Sequence, residues 1–381
     1  MDDGQVVTPW DVEGEKETGF DYKKLIEGFG CQEVDEALVQ KVEKITMSKA
    51  HFFFRRKIVF AHRDMDKAIE RPFYLYTGRG PSSGSLHLGH AIPLILTRYL
   101  QQAFGAPLVI QITDDEKFLW KKLELDQSIA YGHENIKDII AFGFDPKKTF
   151  IFSNMEYSHN FYRNTIKVSK SINLNEAMKV FGFDSSSSIG QVEFPAKEIA
   201  PCFASSFPFL QAGMSCLIPS AIDQDPYFRL ARDKACALNE RKPAAIYSSF
   251  LPSLKGVGRK MSASDPLSSI YLTDTPEDIK SKILKFAFSG GKDTAAEHRR
   301  LGGDTAVDIS FHYLRHFLES DEELVDIKSK YERGEMLTRE LKNRCIKVLQ
   351  DFVMDYQSRR ARVTDEDVLL YKNHIRFSES V

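Results

Sequence analysis

Between about residue 72 and residue 265, short β-type runs alternate with segments whose apolar positions recur at helical spacing. That alternation predicts an α/β fold, a parallel sheet wrapped by helices. The expected strands are Phe73 to Thr77, Leu108 to Thr113, Thr149 to Ser153, Cys216 to Pro219 and Ala244 to Ser248. Between the first two lies Ala91 to Phe104, where Ile92, Ile95, Leu96, Tyr99 and Leu100 repeat with a helical period and complete a βαβ unit. After Asp265 the β-type runs largely stop. Thr275 to Ala287, Ile309 to Leu318 and Arg339 to Tyr356 carry helical periodicity with charged faces and predict a helical second domain. Before residue 70, Tyr22 to Phe29 and Val34 to Ile45 read as amphipathic helices behind a loose acidic leader containing Trp10, an appendage to the sheet.

Composition adds bounds. At 381 residues, 42% of them hydrophobic, the chain is long enough for two domains with sizeable cores. The formal net charge of −2 excludes a nucleic-acid binder that relies on bulk positive charge, so any RNA contact must be local and shape-directed. Cys31, Cys202, Cys216, Cys236 and Cys345 form no CxxC pair, which argues against a zinc site and a disulfide framework. No apolar run approaches the roughly 20 residues that span a bilayer, and Met1 through Gly14 lacks the pattern of a secretory or organelle address. The expectation is a cytoplasmic protein without a membrane partner.

The chemistry concentrates at the end of the first expected strand. The loop Gly78-Arg79-Gly80-Pro81-Ser82-Ser83-Gly84 joins that strand to a helix, the place where doubly wound sheets bind nucleotides. His87-Leu88-Gly89-His90 follows where the loop becomes helix, so two imidazoles and a helix N-terminus converge on one small volume. Imidazole N–H groups donate to phosphate oxygens, the helix end adds ~0.3–1 kcal/mol of attraction, and Gly89 lets a purine lie against bare backbone. Far downstream, after the last expected strand, stands Lys260-Met261-Ser262-Ala263-Ser264. The pair resembles the HIGH and KMSKS signatures of class I aminoacyl-tRNA synthetases, in which the second motif is a mobile loop over the ATP triphosphate. A lysine brought there favours departing pyrophosphate, and Gly256 and Gly258 are candidate hinges.

Ala263 replaces the second lysine of that motif, as in archaeal and eukaryotic tryptophanyl-tRNA synthetases. The resemblance to those enzymes covers nearly the whole chain, through Phe73 to Ser83, Gln111-Ile112-Thr113-Asp114-Asp115-Glu116-Lys117, and Ala221 to Arg229. It implies L-tryptophan, ATP and tRNA(Trp) as substrates. It also implies Mg²⁺ held chiefly by phosphate oxygens, with no protein ligand singled out. Lys260, Lys117 and Arg79, with His87 and His90, are expected to act on the phosphates. Gly78, Gly80, Gly89, Asp223, Met261, Ser262 and Ser264 are expected to complete the ATP site. An indole N–H donates and cannot accept, so its pocket needs an oxygen in an apolar slot. Tyr76 and Gln111 match the family positions that supply it, and Glu116 and Gln224 those that receive the α-ammonium. Asp114 and Asp115 are read as structural, capping a helix that starts at Glu116.

The same resemblance makes the C-terminal helices an anticodon-binding domain and the chain a homodimer, and it makes the N-terminal stretch an extension that folds over the active site with Trp10 as anchor. The expected division is an extension at 1–70, a Rossmann-like catalytic domain at 71–268, a helical domain at 269–365 and a tail at 366–381. Competing readings are a tyrosyl-type synthetase, a paralogue without catalysis that serves as an RNA-binding or signalling module, and a nucleotidylyltransferase making a small cofactor.

Overall fold

The computed structural model describes residues 5–262 and 265–374, so Ala263 and Ser264 of the lysine motif, and 375–381 of the expected tail, lie outside the described residues. Seven strands form the main sheet: β1 (Gln32–Glu33), β2 (Val59–Arg63), β3 (Phe73–Arg79), β4 (Leu108–Ile112), β5 (Thr149–Ser153), β6 (Ser215–Ala221) and β7 (Ala244–Ser248). Their order is β1-β2-β7-β6-β3-β4-β5. The five strands from β7 to β5 run parallel, while β2 joins β7, and β1 joins β2, antiparallel. Every residue of β4, β5 and β7 is buried. Helices cover both faces, which is why these strands read as continuous apolar runs rather than alternating ones.

Two expectations about boundaries change. β2 lies inside the stretch read as an appendage, yet it is a strand of the sheet, with Val59 and Ala61 fully buried. Its apolar run directly follows the helical turn Phe52–Arg55, and a short apolar run beside a helix has no period of its own to betray a strand. At the other end, Asp365–Lys372 is a helix rather than the start of a tail. The hydroxyl of Tyr371 donates to the carbonyl of Phe144 at 2.6 Å, which pins this helix beside β5.

Helix α1 (Leu88–Phe104) packs on one face of the sheet, in an apolar cluster that runs without a break into the C-terminal helices through Ile309, Tyr313, Leu341 and Val353. Aromatic residues dominate the other face, with Phe150, Phe152, Phe161, Phe194 and Phe207 in one cluster. The chain leaves β3 outward to β4 and β5, then returns to build β6 and β7 on the other side of β3. β3 and β6 therefore flank a topological switch point, and the crevice beyond their C-terminal ends is where such sheets bind ligands.

Candidate functional site

A cavity of about 310 Å³ occupies that crevice. Of the residues singled out from sequence it gathers Gly78, Arg79, Gly80, His87, Gly89, His90, Glu116, Lys117, Asp223, Gln224, Lys260 and Met261 on its walls. Ser262 is not among them; its carbonyl accepts a hydrogen bond from Ser269 at 2.7 Å. Tyr76 and Gln111 are not on the open wall either. Both are fully buried behind it.

The two histidines cap α1. His87 Nδ1 accepts from the Gly89 N–H at 3.1 Å, and His90 Nδ1 accepts from the His87 N–H at 3.2 Å. The rings stack at 3.5 Å between centroids. Burial, then Arg79 and Lys260, pushes His87 down to about 3, and burial and Arg79 also hold His90 well below its ordinary value. Both rings are neutral at physiological pH. With its Nδ1 an acceptor, the single proton of the His87 ring sits on Nε2. The Nε2 of His90 lies 2.8 Å from Nη1 of Arg79, within hydrogen-bond distance of the guanidinium, which can only donate. Arg79 binds Asn135 through Nε at 3.1 Å, has no partner on Nη2 among the described residues, and is lowered by burial to about 10. This buried, charged fork beside two imidazoles is chemically an anion site.

Lys260 closes the opposite wall, 2.5 Å from Asp223 and above the Phe250 ring at 5.6 Å. It ends the strand Gly256–Lys260, which pairs with Pro252–Ser253 on one side and with the N-terminal strand Val12–Glu13 on the other. A Cβ at Gly258 would stand 2.7 Å from the carbonyl oxygen of Glu15. Gly258 is thus a close-approach residue under the N-terminal hairpin, not the hinge expected of it. Gly89 has a related role, since an added Cβ would meet the His87 ring at 3.0 Å and Met261 at 3.4 Å.

On the β4 side, a chain of hydrogen bonds fixes Gln111. Asp115, an acceptor only, takes a bond from Asn154 Nδ2 at 2.8 Å, which turns Asn154 Oδ1 toward Gln111 Nε2 at 2.7 Å. The carbonyl oxygen of Gln111 is therefore aimed at the Tyr76 hydroxyl, which donates to it and also lies 3.0 Å from the carbonyl of Glu198. Asp115 thus sets the polarity of a relay, and Asp114 is buried, accepting from Ser153 and from Met155 N. The capping expected of both holds for Asp115 alone, whose Oδ1 also accepts the Glu116 N–H at 2.9 Å; Asp114 is turned to Ser153 and Met155 instead. Helix α2 (Asp114–Trp120) begins at Asp114 with Thr113 as its uncapped N-terminal neighbour, so the acids lie inside its first turn.

Glu116 is committed on both oxygens, to Lys117 at 2.7 Å and to the Thr113 hydroxyl at 2.8 Å. The bare backbone of Gly80 makes room for this pair, because a Cβ there would collide with both side chains. The sequence reading missed Glu198 on helix α3 (Ile189–Ile199), buried and on the cavity wall. Its signal was a carboxylate four residues after Phe194, on the apolar face of an otherwise ordinary helix. Trp10, at the turn of the N-terminal hairpin, reaches the same cavity. It stacks on Trp120 at 4.5 Å and donates from Nε1 to the carbonyl of Phe181 at 3.1 Å.

Among the described residues no group of three or more His, Cys, Asp or Glu is arranged to hold a metal ion, and no helix is long and apolar enough to cross a membrane.

Residues 67–354 match the family described as tRNA synthetases class I (W and Y). The chain is 58% identical over 373 residues to the tryptophan–tRNA ligase of Encephalitozoon cuniculi, covering 96% of this chain and 97% of that one. It is 51% identical to the cytoplasmic tryptophan–tRNA ligase of Homo sapiens, covering 95% of this chain and 79% of the human one. A crystal structure of the tryptophanyl-tRNA synthetase of E. cuniculi bound to tryptophan superposes with a TM-score of 0.89 at 57% identity, over 94% of this chain and 99% of that one.

Proposed function

From the premise that this chain belongs to the tryptophan–tRNA ligases among the class I aminoacyl-tRNA synthetases, we propose the roles of its residues. The reaction is activation of L-tryptophan by ATP to tryptophanyl-adenylate and pyrophosphate, followed by transfer to the 3′ end of tRNA(Trp). The attacking group is already a carboxylate, so no general base is needed, and catalysis is positioning plus stabilisation of charge on the phosphates. One observation carries the assignment. The anion site of Arg79, His87 and His90, the motif lysine Lys260, and the wall in front of Tyr76 and Gln111 all meet in a single cavity.

The adenine lies over Gly89, with Met261 beside it, and the ribose faces Asp223 and Gln224. Lys117 and Lys260 share the phosphate charge with Arg79, Lys260 leaving Asp223 to do so. Gly78 and Gly80 let the nucleotide approach the strand end, and Ser262 and Ser264 are taken with Lys260 as one sequence motif for the nucleotide. Mg²⁺ would enter with ATP, held by phosphate oxygens. The indole N–H donates to the lone pairs of the Tyr76 hydroxyl, whose own proton is taken by Gln111 or by the Glu198 carbonyl. Glu116 and Gln224 stand near the α-ammonium.

The C-terminal helices serve the anticodon, and residues 5–14 cap the pocket from above Trp120. The division into a sheet domain and a helical domain is functional rather than a break in the core. The protein works in the cytoplasm as a homodimer. Supporting the dimer, Tyr162 and Ile166, one helical turn apart, are 57% and 48% exposed, and Met155 nearby is 46% exposed. A monomeric mass by light scattering at micromolar concentration overturns the dimer. Tryptophan-dependent ATP–pyrophosphate exchange tests the reaction, with tyrosine in parallel; exchange with tyrosine alone, or with neither amino acid, overturns the reading.

A further inference from the structure

One helix behind the phosphate side of the cavity carries buried polar groups that no role assigned so far uses. In Leu125–Ile140 the residues Ser128, Gly132 and Asn135 are buried at positions i, i+4 and i+7, which places them on one face. Ser128 Oγ donates to the carbonyl of Asp114 at 2.6 Å, and an added Cβ at Gly132 would stand 3.1 Å from Ile112 and 3.8 Å from Pro81. This face is therefore seated on the C-terminal end of β4 and on the glycine-rich loop. Asn135, with none of its surface exposed, completes the contact. Its Nδ2 donates to the carbonyl of Ser83 at 2.9 Å, and its Oδ1 accepts from Nε of Arg79 at 3.1 Å. The carbonyl only accepts and the guanidinium only donates, so the amide has a single orientation.

The contact fixes Arg79 without neutralising it. Nη1 lies 2.8 Å from His90 Nε2, and Nη2 has no partner among the described residues. The carboxylates near Arg79 are Glu116 and Asp138, and each is already paired, with Lys117 at 2.7 Å and with Arg360 at 2.7 Å. A carboxylate in place of Asn135 would form a buried ion pair and cancel the charge, whereas an amide oxygen orients the guanidinium and keeps its charge whole. Resting on the proposed ATP site, we propose that Asn135 is a positioning residue for the phosphates: it clamps Arg79 at Nε and the glycine-rich loop at Ser83, so that an undiminished cation is held at the cavity wall. Asn135 is behind that wall and touches no substrate itself. Its effect on the rate comes through Arg79. Without the clamp the long side chain regains rotamers, and the fork has to be ordered anew as charge builds on the phosphates.

The test is ATP–pyrophosphate exchange by the full-length enzyme as wild type, Asn135→Ala, Arg79→Ala and the double variant, with tryptophan affinity and the thermal midpoint measured for each. Asn135→Ala is expected to lower kcat/KM for ATP by about tenfold to a hundredfold, with the Kd for tryptophan within about twofold of wild type. In the Arg79→Ala background the same change is expected to cost less than about twofold more. Asn135→Asp, nearest in shape but anionic, is expected to lose at least as much as Asn135→Ala. A residue that only supports the fold weakens ATP and tryptophan alike and adds its full loss to that of Arg79→Ala; that pattern overturns the proposal, as does wild-type kcat/KM in either Asn135 variant. Should Asn135→Ala not fold, as its thermal midpoint shows, Asn135→Asp decides by the same split between ATP and tryptophan. Arg79→Ala at the wild-type rate strikes at the phosphate reading, and absence of exchange in the wild type strikes at the function itself. An impaired Arg79→Ala with an adverse result at Asn135 strikes only at Asn135.

Discussion

Lys260 rests on Asp223 at 2.5 Å and must exchange that carboxylate for phosphate to act. Because its charge is called on as pyrophosphate departs, its loss is felt in the transition state more than in binding of the amino acid. Lys260→Ala is expected to lower turnover in pyrophosphate exchange by about 10²–10³-fold while leaving the KM for tryptophan nearly unchanged; exchange at the wild-type rate refutes the assignment. A different outcome belongs to the relay from Asp115 through Asn154 to Gln111. Replacing Asn154 by Leu leaves Gln111 Nε2 without its acceptor and frees the amide to turn its donors toward Tyr76. Discrimination between tryptophan and 3-benzothienyl-alanine, which carries sulfur where the indole has N–H, is expected to fall by about tenfold or more in kcat/KM. An unchanged ratio means the relay does not set the polarity of the indole contact.

At the scale of elements, helix α2 and the strand carrying Lys260 are joined by the N-terminal hairpin. Val12–Glu13 adds an edge to the strand Gly256–Lys260, the Gly14 N–H donates to the carbonyl of Gly258 at 2.8 Å, and Trp10 reaches across to Trp120. Removing residues 1–14 strips one edge from that strand and one wall from the cavity, so it is expected to raise the KM for ATP and lower turnover together, read by pyrophosphate exchange. Gly258→Val, whose side chain displaces Glu15, is expected to move both constants in the same direction with the chain intact. If neither variant differs from wild type, the hairpin is not part of the nucleotide site.

Across the whole molecule, neutral buried histidines govern the acid side of stability. Burial and Arg79 bring His87 to about 3, and burial and Arg315 bring His316 to about 3, against about 6.5 in an unfolded chain. Between those limits the unfolded chain binds more protons than the folded one, so stability falls as pH drops from about 6.5 toward 3. Each such group contributes at most about 1.4 kcal/mol per pH unit. Thermal midpoints are expected to decline from pH 7 to 5, and His316→Asn, which keeps a donor for the carbonyl of His312, is expected to make the decline shallower. An equal slope in that variant removes His316 from the account.

The local patterns fixed much of this protein because they are properties of short stretches. Five parallel strands, α1 and its glycine-rich approach, and the two distant motifs were all legible, since each follows from side-chain period, turn chemistry or spacing within a few residues. Where partners come from distant parts of the chain, the sequence was silent. It did not show that β2 closes the sheet, that Glu15 lies over Gly258, that Asp115 orients Gln111 through Asn154, or that Glu198 is buried on the cavity wall beside Tyr76. A carboxylate's burial, and which cation has already been taken by its neighbour, depend on packing between elements that are 80 or more residues apart, from Lys117 to Glu198. Only the folded chain decides that electrostatics, because the low-dielectric surroundings that make an unpaired charge costly exist only once the helices have closed over the sheet.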